Sequence, residues 1–454
     1  MSLSQMIVVG TTPDYVERIS KKRPAGSVLF ILDQRHLNSH FLSGLDRSTL
    51  IFADLEQYDE TLDSLKNRLS AGHMSDPRFA CFDCEYLILA SRLANYFKSP
   101  FPPTEAIIIT RSKFLSREVW RKAGIDNPRA VLASGIDETI RYFHAFKRDI
   151  VLKPISGSGS ELVFRCVDEK GVREAVSIML EQLEKRRSNP LFRPIRDPFT
   201  SITMDPCERW VVEEYVSGPE FSCDFILHGD NVYIVREAGK IREDDQTFGS
   251  VMAYTMPAVY PEGFRREDLY RVFSMAARSL GFKWGHFMVD FIIRKDNAII
   301  LEMTPRPSGD SIPDLLEAAT GRDILAEYMD FMSGRFDASL IPQMPTRPYA
   351  SINFFIPASG TITRLDVSEV MNQSGTVALF LKKKVGDRVA LPPDDYDNRL
   401  LGHCIMHWDY GWEQVAVCRR IQGLLKVSVN NVQKEAGIET VRAERQIKDN
   451  FYNE

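Results

Sequence analysis

The chain has 454 residues, which is too long for one hydrophobic core and suits roughly two to four folding units. Its hydrophobic fraction of 44% and charged fraction of 26% are ordinary for a globular protein. The net charge of −5 gives no support for a nucleic-acid partner, and no apolar run approaches the roughly 18 residues that a membrane helix requires. Seven scattered cysteines and the lack of a signal-peptide pattern favour the reducing cytoplasm.

The first part of the chain alternates short apolar strands with helical patterns. Strands are predicted at 6–10, 27–33 and 79–82, and helices at 14–21 and 85–97. This alternation indicates βαβ units and a parallel sheet. Thr11-Thr12-Pro13 follows the first strand, so the Gly-x-Gly-x-x-Gly fingerprint of dinucleotide-binding folds is missing and NAD binding is not predicted.

A loop of small residues at 155–160 lies between two predicted strands and follows Lys153. Glycines let backbone N–H groups approach a phosphate closely, and serines add hydroxyl donors. Ser158 and Gly159 are therefore candidate phosphate contacts. The loop is not a Walker motif, because its lysine precedes the glycines and no helical pattern follows directly. An ordinary Gly-Ser turn is the alternative interpretation.

A second candidate segment is the apolar strand at 210–216, which opens into the turn at 217–222. Three acidic residues accompany it, namely Glu213, Glu214 and Glu220. The strand's last residues, Tyr215 and Val216, would offer backbone groups to a base, and Glu220 would accept hydrogen bonds from ribose hydroxyls. The alternative is a plain strand–turn–strand.

Asp290 and Glu302 flank a predicted β-hairpin, with a polar turn at 294–297 halfway between them. This places the two carboxylates on neighbouring strands near the open end of the hairpin. Carboxylates held close together repel each other unless a cation lies between them. Hard oxygen ligands favour Mg²⁺, which takes one or two carboxylates plus substrate phosphates. Two solvated acidic residues on a hairpin are the alternative.

The later parts of the chain predict loops and short strands. The four prolines within 186–206 indicate a loop insertion without regular elements, and the polar loop at 244–250 is expected to close over a substrate. Beyond about residue 345, strands are predicted at 349–356, 360–365, 376–381 and 402–410, followed by a helix at 414–425 and a charged tail.

Taken in order, these motifs resemble the ATP-grasp superfamily. The resemblance is strong over roughly residues 105 to 335. It is carried by Thr110-Arg111-Ser112-Lys113, 123–128, Lys153-Pro154, 213–216, 302–310 and 319–323.

The resemblance implies a role for each matching residue. Lys113 and Lys153 match the two lysines that hold the phosphates of ATP. The hinge residues that contact adenine match Glu213, Tyr215 and Val216, and the acid that binds ribose matches Glu220. The Mg²⁺-bridging carboxylates match Asp290 and Glu302, with Mn²⁺ as an alternative ion, and the arginine that steadies the transferred phosphate matches Arg306.

One departure from the family pattern is Thr304, which stands where the family usually has asparagine. A hydroxyl still coordinates Mg²⁺ in P-loop enzymes, so Thr304 is expected to give weaker metal binding.

The resemblance implies an α/β fold of three units. Residues 1–105 are expected to form a doubly wound, Rossmann-like domain. Residues 106–345 are expected to form the ATP-grasp domain with an α+β lid at about 150–215, and residues 346–454 a small β-rich α+β domain.

The implied function is an ATP- and Mg²⁺-dependent, ADP-forming ligase that activates a small carboxylate as an acyl phosphate and joins it to an amine. Arg306 and Lys153 are its expected catalytic residues. The pattern Arg306-x-x-Gly309-Asp310 is similar to that of the L-amino-acid (dipeptide) ligases, and a homodimer is expected from the resemblance.

Two alternatives stay open. The first is a carboxylase of the biotin-carboxylase or purine-synthesis type, although biotin carboxylases carry Gln-Val-Glu-His after the arginine where this chain has Ser308-Gly309-Asp310-Ser311. The second is a nucleotide-binding regulatory protein with weak catalysis, for which Thr304 is the supporting feature.

Overall fold

The computed structural model describes residues 6–71, 76–243, 248–340, 345 and 347–430. Residues 244–247 of the loop expected to close over a substrate, and the charged tail after residue 430, lie outside the described residues.

The first unit is the predicted parallel sheet with helices packed against it. Its strands are β1 (Met6–Val9), β2 (Val28–Asp33), β3 (Leu50–Ala53) and β4 (Arg78–Ala80), in the order β3-β2-β1-β4. Its helices are α1 (Pro13–Lys22), α2 (Tyr58–Ala71) and α3 (Leu87–Tyr96). Gly10 ends β1 with φ +61°, and a Cβ at this position would lie 2.2 Å from the Tyr86 ring. Only glycine therefore lets the chain turn here against that ring.

Two helices connect this unit to the next part of the chain, α4 (Thr104–Arg111) and α5 (Lys113–Lys122). The Ser112 side chain accepts a hydrogen bond from the Leu115 N–H and so caps α5. Burial of Trp120 and Arg117 fixes one face of the helix, and this face holds Lys113 at the helix start in a defined place.

A second layer is an antiparallel sheet with two helices. Its strands run in the order β5-β10-β6-β7, and Trp210 and Leu152 lie in its own hydrophobic core. The elements are β5 (Ala130–Ala133), α6 (Ile136–Phe146), β6 (Ile150–Pro154), β7 (Phe164–Cys166), α7 (Glu169–Lys185) and β10 (Trp210–Glu214). We call this sheet the lid sheet, because it covers most of the range 150–215 in which the resemblance implies a lid, although it already begins at Ala130.

The prediction that 186–206 lacks regular elements is wrong. The segment contains a 3₁₀ turn (Pro190–Phe192) and the two-stranded ladder β8 (Ile195–Arg196) and β9 (Thr203–Met204). Leu191 and Phe192 are buried in the core of the lid. The prolines prevent long elements, but burial of these two apolar side chains stabilises short ones.

The largest sheet has eight strands in the order β15-β14-β11-β12-β13-β16-β20-β18. Its first five strands in the chain are β11 (Glu220–His228), β12 (Asn231–Ile241), β13 (Ala253–Met256), β14 (Gly285–Arg294) and β15 (Asn297–Thr304). The helices of this region are α8 (Asp268–Ser279), α9 (Ile312–Thr320) and α10 (Ile324–Met332). The hairpin predicted between Asp290 and Glu302 is β14–β15, which forms one edge of the sheet.

The last described part adds strands to the same sheet. It contains β16 (Tyr349–Phe355), β17 (Gly360–Asp366), α11 (Ser368–Met371), β18 (Thr376–Leu381), β19 (Arg388–Val389), β20 (Leu400–His407), α12 (Gln414–Leu424) and β21 (Lys426–Asn430). Strands β19, β17 and β21 form a separate small sheet. The large sheet thus continues past residue 345, where the sequence had suggested a domain boundary. Among the described helices, none combines the length and apolar character needed to cross a membrane.

Candidate active site

A cavity of about 360 Å³ lies between the lid sheet and the edge of the eight-stranded sheet. It brings together residues that the sequence had singled out on five separate segments. The predicted residues that line it are Lys113, Lys153, Ser158, Gly159, Glu213, Glu214, Tyr215, Val216, Glu220, Asp290 and Glu302. Thr304 and Arg306 do not line it.

The two expected metal carboxylates face each other. Asp290 on β14 is the direct partner of Glu302 on β15, and a β-bulge follows Asp290. The Asp290 Oδ2 lies 2.6 Å from the Lys240 Nζ. The Asp290 Oδ1 is buried and has no hydrogen-bond partner among the described residues. A buried carboxylate oxygen without a partner is costly unless a ligand satisfies it.

Glu302 lies in a positive environment. Its Oε2 is 4.0 Å from the Lys113 Nζ. Burial acts to raise the pKa of Glu302, but the charges of Lys113 and Lys153 outweigh it and hold the pKa below its ordinary value. Glu302 is therefore ionised at neutral pH, as a metal ligand must be.

Lys153 projects from β6 into the cavity and is almost fully buried. Its Nζ lies 2.6 Å from the Glu213 Oε2, and the Glu213 Oε1 lies 2.9 Å from the Arg117 Nε. Burial lowers the pKa of Lys153 to about 8, against the opposing effect of Glu213. The Glu213 carboxylate thus contacts Lys153 and Arg117, whereas the sequence had suggested a contact with a base. That expected contact stays a prediction.

Lys113 connects helix α5 to the small-residue loop. Its Nζ donates to the Gly157 carbonyl over 3.0 Å, and its backbone N–H donates to the Ile155 carbonyl over 2.8 Å. The lysine therefore lies beside the loop and 4.0 Å from Glu302 at the same time.

The small-residue loop is held by contacts on several sides. The Ser160 hydroxyl donates to the Gly249 carbonyl over 2.9 Å, Arg399 donates to the Gly159 carbonyl over 3.3 Å, and the Ser156 hydroxyl donates to the Leu191 carbonyl. Gly157 and Gly159 have φ values of +141° and +62°, which side chains rarely adopt. Ser158 and Gly159 are exposed at the tip of this loop.

The hinge at 214–216, where β10 ends, has hydrogen-bonded polar groups next to an apolar surface. The backbone N–H groups of Glu214 and Tyr215 donate to the carbonyls of Arg129 and Asp149, while the next residue, Val216, makes no backbone hydrogen bond with the described residues. The Val216 side chain packs against Ile292 in a small apolar cluster. The Glu214 Oε2 lies 3.1 Å from an Arg148 nitrogen, so this side chain has a partner at the rim.

The predicted ribose acid, Glu220, contacts two cations that sequence reasoning missed. Its Oε1 lies 2.8 Å from the Lys240 Nζ and 2.6 Å from an Arg242 nitrogen. Burial acts to raise the pKa of Glu220, but these two cations hold it below its ordinary value. A signal was present in the sequence, because Lys240 near the end of β12 and Arg242 just after it are two residues apart, a spacing that places side chains of an extended chain on one face.

Within the described ranges, no group of three or more His, Cys, Asp or Glu side chains is arranged to hold a metal ion. Mg²⁺ does not need such a group, because it binds through one or two carboxylates plus substrate phosphates and waters. The donor set of Asp290 and Glu302 fits this ion, and the Asp290 Oδ1 without a partner fits it further. Thr304 lies two residues after Glu302 on the same face of β15 and is nearly buried.

Arg306 lies beyond the end of β15, against the first unit. Its Nε donates to the Cys84 Sγ over 2.9 Å, and a terminal nitrogen donates to the Pro307 carbonyl over 2.8 Å. Cys84 follows strand β4, so Arg306 lies where the parallel sheet meets the end of β15 rather than inside the cavity.

Comparisons with known proteins find similar sequences and a similar fold. The family model of the ATP-grasp domain matches residues 146–314. The chain is 23% identical over 275 residues to the uncharacterized protein y4rH of Sinorhizobium fredii. The aligned region covers 61% of this chain and about half (52%) of that protein. It is also 23% identical over 256 residues to a D-alanine–D-alanine ligase of Acidovorax ebreus, which covers 52% of this chain and 69% of the ligase.

Solved structures match nearly the whole chain. The crystal structure of an L-amino acid ligase from Bacillus licheniformis has a TM-score of 0.71 at 17% identity, covering 95% of this chain and 100% of that chain. The biotin carboxylase domain of 2-oxoglutarate carboxylase from Hydrogenobacter thermophilus has a TM-score of 0.62 at 17% identity, covering 94% of this chain and 92% of that one. At such identities, the likeness establishes the fold, and function depends on the site.

Proposed function

We propose that this chain, which carries an ATP-grasp domain, is an ATP- and Mg²⁺-dependent ligase that joins a carboxylate to an amine through an acyl phosphate. The observation that supports this proposal most strongly is the direct pairing of Asp290 with Glu302 across β14 and β15. Lys113 and Lys153 line the same cavity. Two carboxylates and two lysines in one cavity match what a metal-bound triphosphate requires.

The cavity suggests an orientation for ATP. The apolar surface of Val216 and Ile292 suits a base, and the backbone of Val216 is the nearest hinge group that retains a hydrogen-bonding capacity within the described residues. Glu220 would accept from ribose hydroxyls. The triphosphate would then extend toward Lys153 and the loop carrying Ser158 and Gly159, whose backbone N–H groups are suited to bind phosphate oxygens.

The metal, when bound by Asp290 and Glu302, would neutralise charge on the phosphates and favour transfer of the terminal phosphoryl group. The protein's own residues do the rest of the positioning. Lys113 and Lys153 bind phosphate oxygens, and the small-residue loop would have to close over them to keep water from the reacting group.

In the proposed reaction, a carboxylate oxygen of the acid attacks the γ-phosphorus of ATP. The bond from that phosphorus to the β–γ bridging oxygen breaks, which releases ADP and leaves an acyl phosphate. The amine nitrogen then attacks the carbonyl carbon, the phosphate leaves, and the amine loses a proton as the amide forms. Arg306 is the residue proposed to hold the negative charge of the transferring phosphoryl group.

Trapping with hydroxylamine tests this proposal. Incubation with ATP, Mg²⁺ and a panel of small carboxylates, amino acids included, is expected to give a hydroxamate with at least one acid, because hydroxylamine attacks acyl phosphates. The product should require ATP and should form without bicarbonate. If no acid gives a hydroxamate, ligase function is refuted.

A carboxylase is the second candidate, since the biotin carboxylase domain shares the fold over most of the chain. ADP release that requires bicarbonate, without any hydroxamate, would support it. Nucleotide binding without turnover under either condition would support the regulatory alternative.

A further inference from the structure

A fully buried ion pair lies beneath the loop that carries Arg306. Asp224 on β11 and Arg236 on β12 are direct partners across the ladder, and both side chains are 0% exposed. The Arg236 Nε donates to the Asp224 Oδ2. A buried pair of this kind contributes little net stability, because the cost of removing two charges from water offsets their attraction. Stability alone therefore does not explain why the pair is present.

The remaining contacts of the pair are with two serines and with His286, whose Nε2 lies 3.5 Å from the Asp224 Oδ1. Arg236 donates to the Ser222 carbonyl and to the Ser222 hydroxyl, each over 2.9 Å, and also to the Ser308 hydroxyl. The Asp224 Oδ1 accepts the Ser308 backbone N–H over 2.8 Å. Both serines are buried. Burial acts to raise the pKa of Asp224, but Arg236, His286 and the Ser308 backbone N–H hold it at about 2, so the carboxylate stays charged.

Ser308 is the anchor of the loop that follows β15. Pro305 and Pro307 have no backbone N–H, and the Arg306 N–H is used within the loop, on the Thr304 carbonyl. Ser308 is thus the first residue after β15 whose N–H reaches another strand. Besides the contacts of Arg306 with Cys84 and the Pro307 carbonyl, the loop that carries Arg306 is therefore anchored by a side chain of β11 and not by a sheet ladder.

The other serine connects the same pair to the metal carboxylates. Ser222 is the direct partner of Asp290 across β11 and β14. The buried pair therefore contacts the loop of Arg306 on one side and the neighbour of Asp290 on the other.

We propose that Asp224 and Arg236 are positioning residues that, through Ser308 and Ser222, hold Arg306 in register with the carboxylates of Asp290 and Glu302. This proposal rests on the proposed function, because it assigns Arg306 to phosphoryl transfer. The pair never touches the nucleotide cavity, so its loss should lower the rate of transfer and leave nucleotide binding intact.

The test replaces the pair as a whole with apolar residues, Asp224→Leu with Arg236→Met, which avoids leaving one buried charge alone. A matched control is Glu237→Leu with Arg266→Met. Glu237 is the next residue of β12 and faces the other side of the sheet, where it pairs with Arg266 over 2.7 Å and accepts from the Tyr260 hydroxyl. Circular dichroism melting establishes that each variant is folded.

The positioning variant is expected to lose about tenfold or more in kcat for hydroxamate formation, since small displacements of catalytic groups cost rate. Its Kd for ATP should stay within about threefold of the parent, and backbone hydrogen exchange over 306–309 should accelerate about tenfold. The control should change none of the three. A smaller loss of kcat in the folded positioning variant overturns the proposal.

If the double variant does not fold, Ser308→Ala tests the positioning proposal instead, because it removes only the hydroxyl that Arg236 contacts. It is expected to lower kcat about threefold or more with an unchanged Kd for ATP, and a smaller loss overturns the proposal. If the unaltered protein forms no hydroxamate with any acid, the proposed function has failed. The hydrogen-exchange rates over 306–309 then test by themselves whether the buried pair anchors the loop of Arg306.

Discussion

The cations of the nucleotide cavity differ from Arg306 in what they contact. Lys153 lies 2.6 Å from Glu213, and Lys240 lies 2.6 Å from Asp290 and 2.8 Å from Glu220. Arg306 instead donates to a neutral sulfur and to a backbone carbonyl. Among the described residues, no carboxylate oxygen lies within ion-pair distance of its guanidinium.

This difference predicts which cations affect ATP binding and which affect only the rate of phosphoryl transfer. A cation that already has a carboxylate partner adds little net charge to a site, and its main effect is to hold a fixed geometry for a ligand that shares it. A guanidinium without such a partner keeps its full charge for an anion that develops later. We therefore expect that replacing a cavity lysine affects ATP binding and turnover together. Replacing Arg306 should affect turnover alone.

The largest expected effect follows from Arg306→Ala. Hydroxamate formation should fall about a thousandfold, the scale on which arginines act in phosphoryl transfer, while the Kd for ATP by calorimetry should stay within about threefold. Arg322→Ala is a matched control, because Arg322 already pairs with Glu327 over 2.7 Å. If Arg306→Ala forms hydroxamate at the parental rate, the expected difference between Arg306 and the cations of the cavity does not exist.

Glu302→Gln tests the acidic side of the cavity. It keeps the shape of the side chain but removes the charge proposed to hold Mg²⁺, so turnover should fall about a hundredfold or more. The melting temperature should fall slightly, because the variant would lose the attraction to Lys113 and Lys153 that holds the pKa of Glu302 below its ordinary value. Glu317→Gln, at a surface acid that pairs with Arg18, is the control. Full activity in Glu302→Gln would exclude it as a ligand.

Lys153→Ala and Lys113→Ala should each weaken ATP binding and slow transfer together, by about tenfold for each, because a lysine on the phosphates stabilises ground and transition states alike. Calorimetry with ATP and steady-state kinetics measure the two effects. Parental ATP affinity in both variants would place the nucleotide site elsewhere.

Much of this site was predictable from local patterns. The hairpin around Asp290 and Glu302 was predicted because two apolar runs flank a polar turn. The direct pairing of the two acids depends in addition on the β-bulge after Asp290, which the local pattern does not show. The doubly wound sheet followed from strands and helices in alternation, and the structure confirms both.

The partners of the predicted residues were not predictable. Lys240 reaches Glu220 and Asp290 from a third strand, and Arg117 reaches Glu213 from a helix about a hundred residues away in the chain. Such pairings depend on how sheets stack, which short-range spacing does not encode. The short elements within 186–206 were missed for a related reason, since their stability comes from burying Leu191 and Phe192 against a distant part of the lid.

The smallest expected effect concerns a proton on Lys153. In the free protein, burial lowers the pKa of Lys153 from 10.5 to about 8, although Glu213 acts against the shift. The charges of Arg117 and Lys113 lower the pKa of Lys153 further, and the carboxylate of Glu302 on β15 also interacts with the charge of Lys153. Because the folded pKa lies below the unfolded one, protonation of this lysine costs stability in full below pH 8, and that cost disappears as the pH rises toward 10.5.

ATP brings negative phosphates next to this amine, so binding should raise its pKa and take up about half a proton near pH 8. The apparent Kd should accordingly rise between about pH 7 and pH 9. Calorimetry in two buffers of different ionisation enthalpy measures the uptake, and Lys153→Met should abolish it, whereas Lys185→Met, at an exposed lysine paired with Glu181, should not. Protonation of ATP itself is common to all three proteins and cancels in the comparison. Equal uptake by Lys153→Met and the parent would show that Lys153 is already fully charged before ATP arrives, and that pairing with Glu213 outweighs burial at this position.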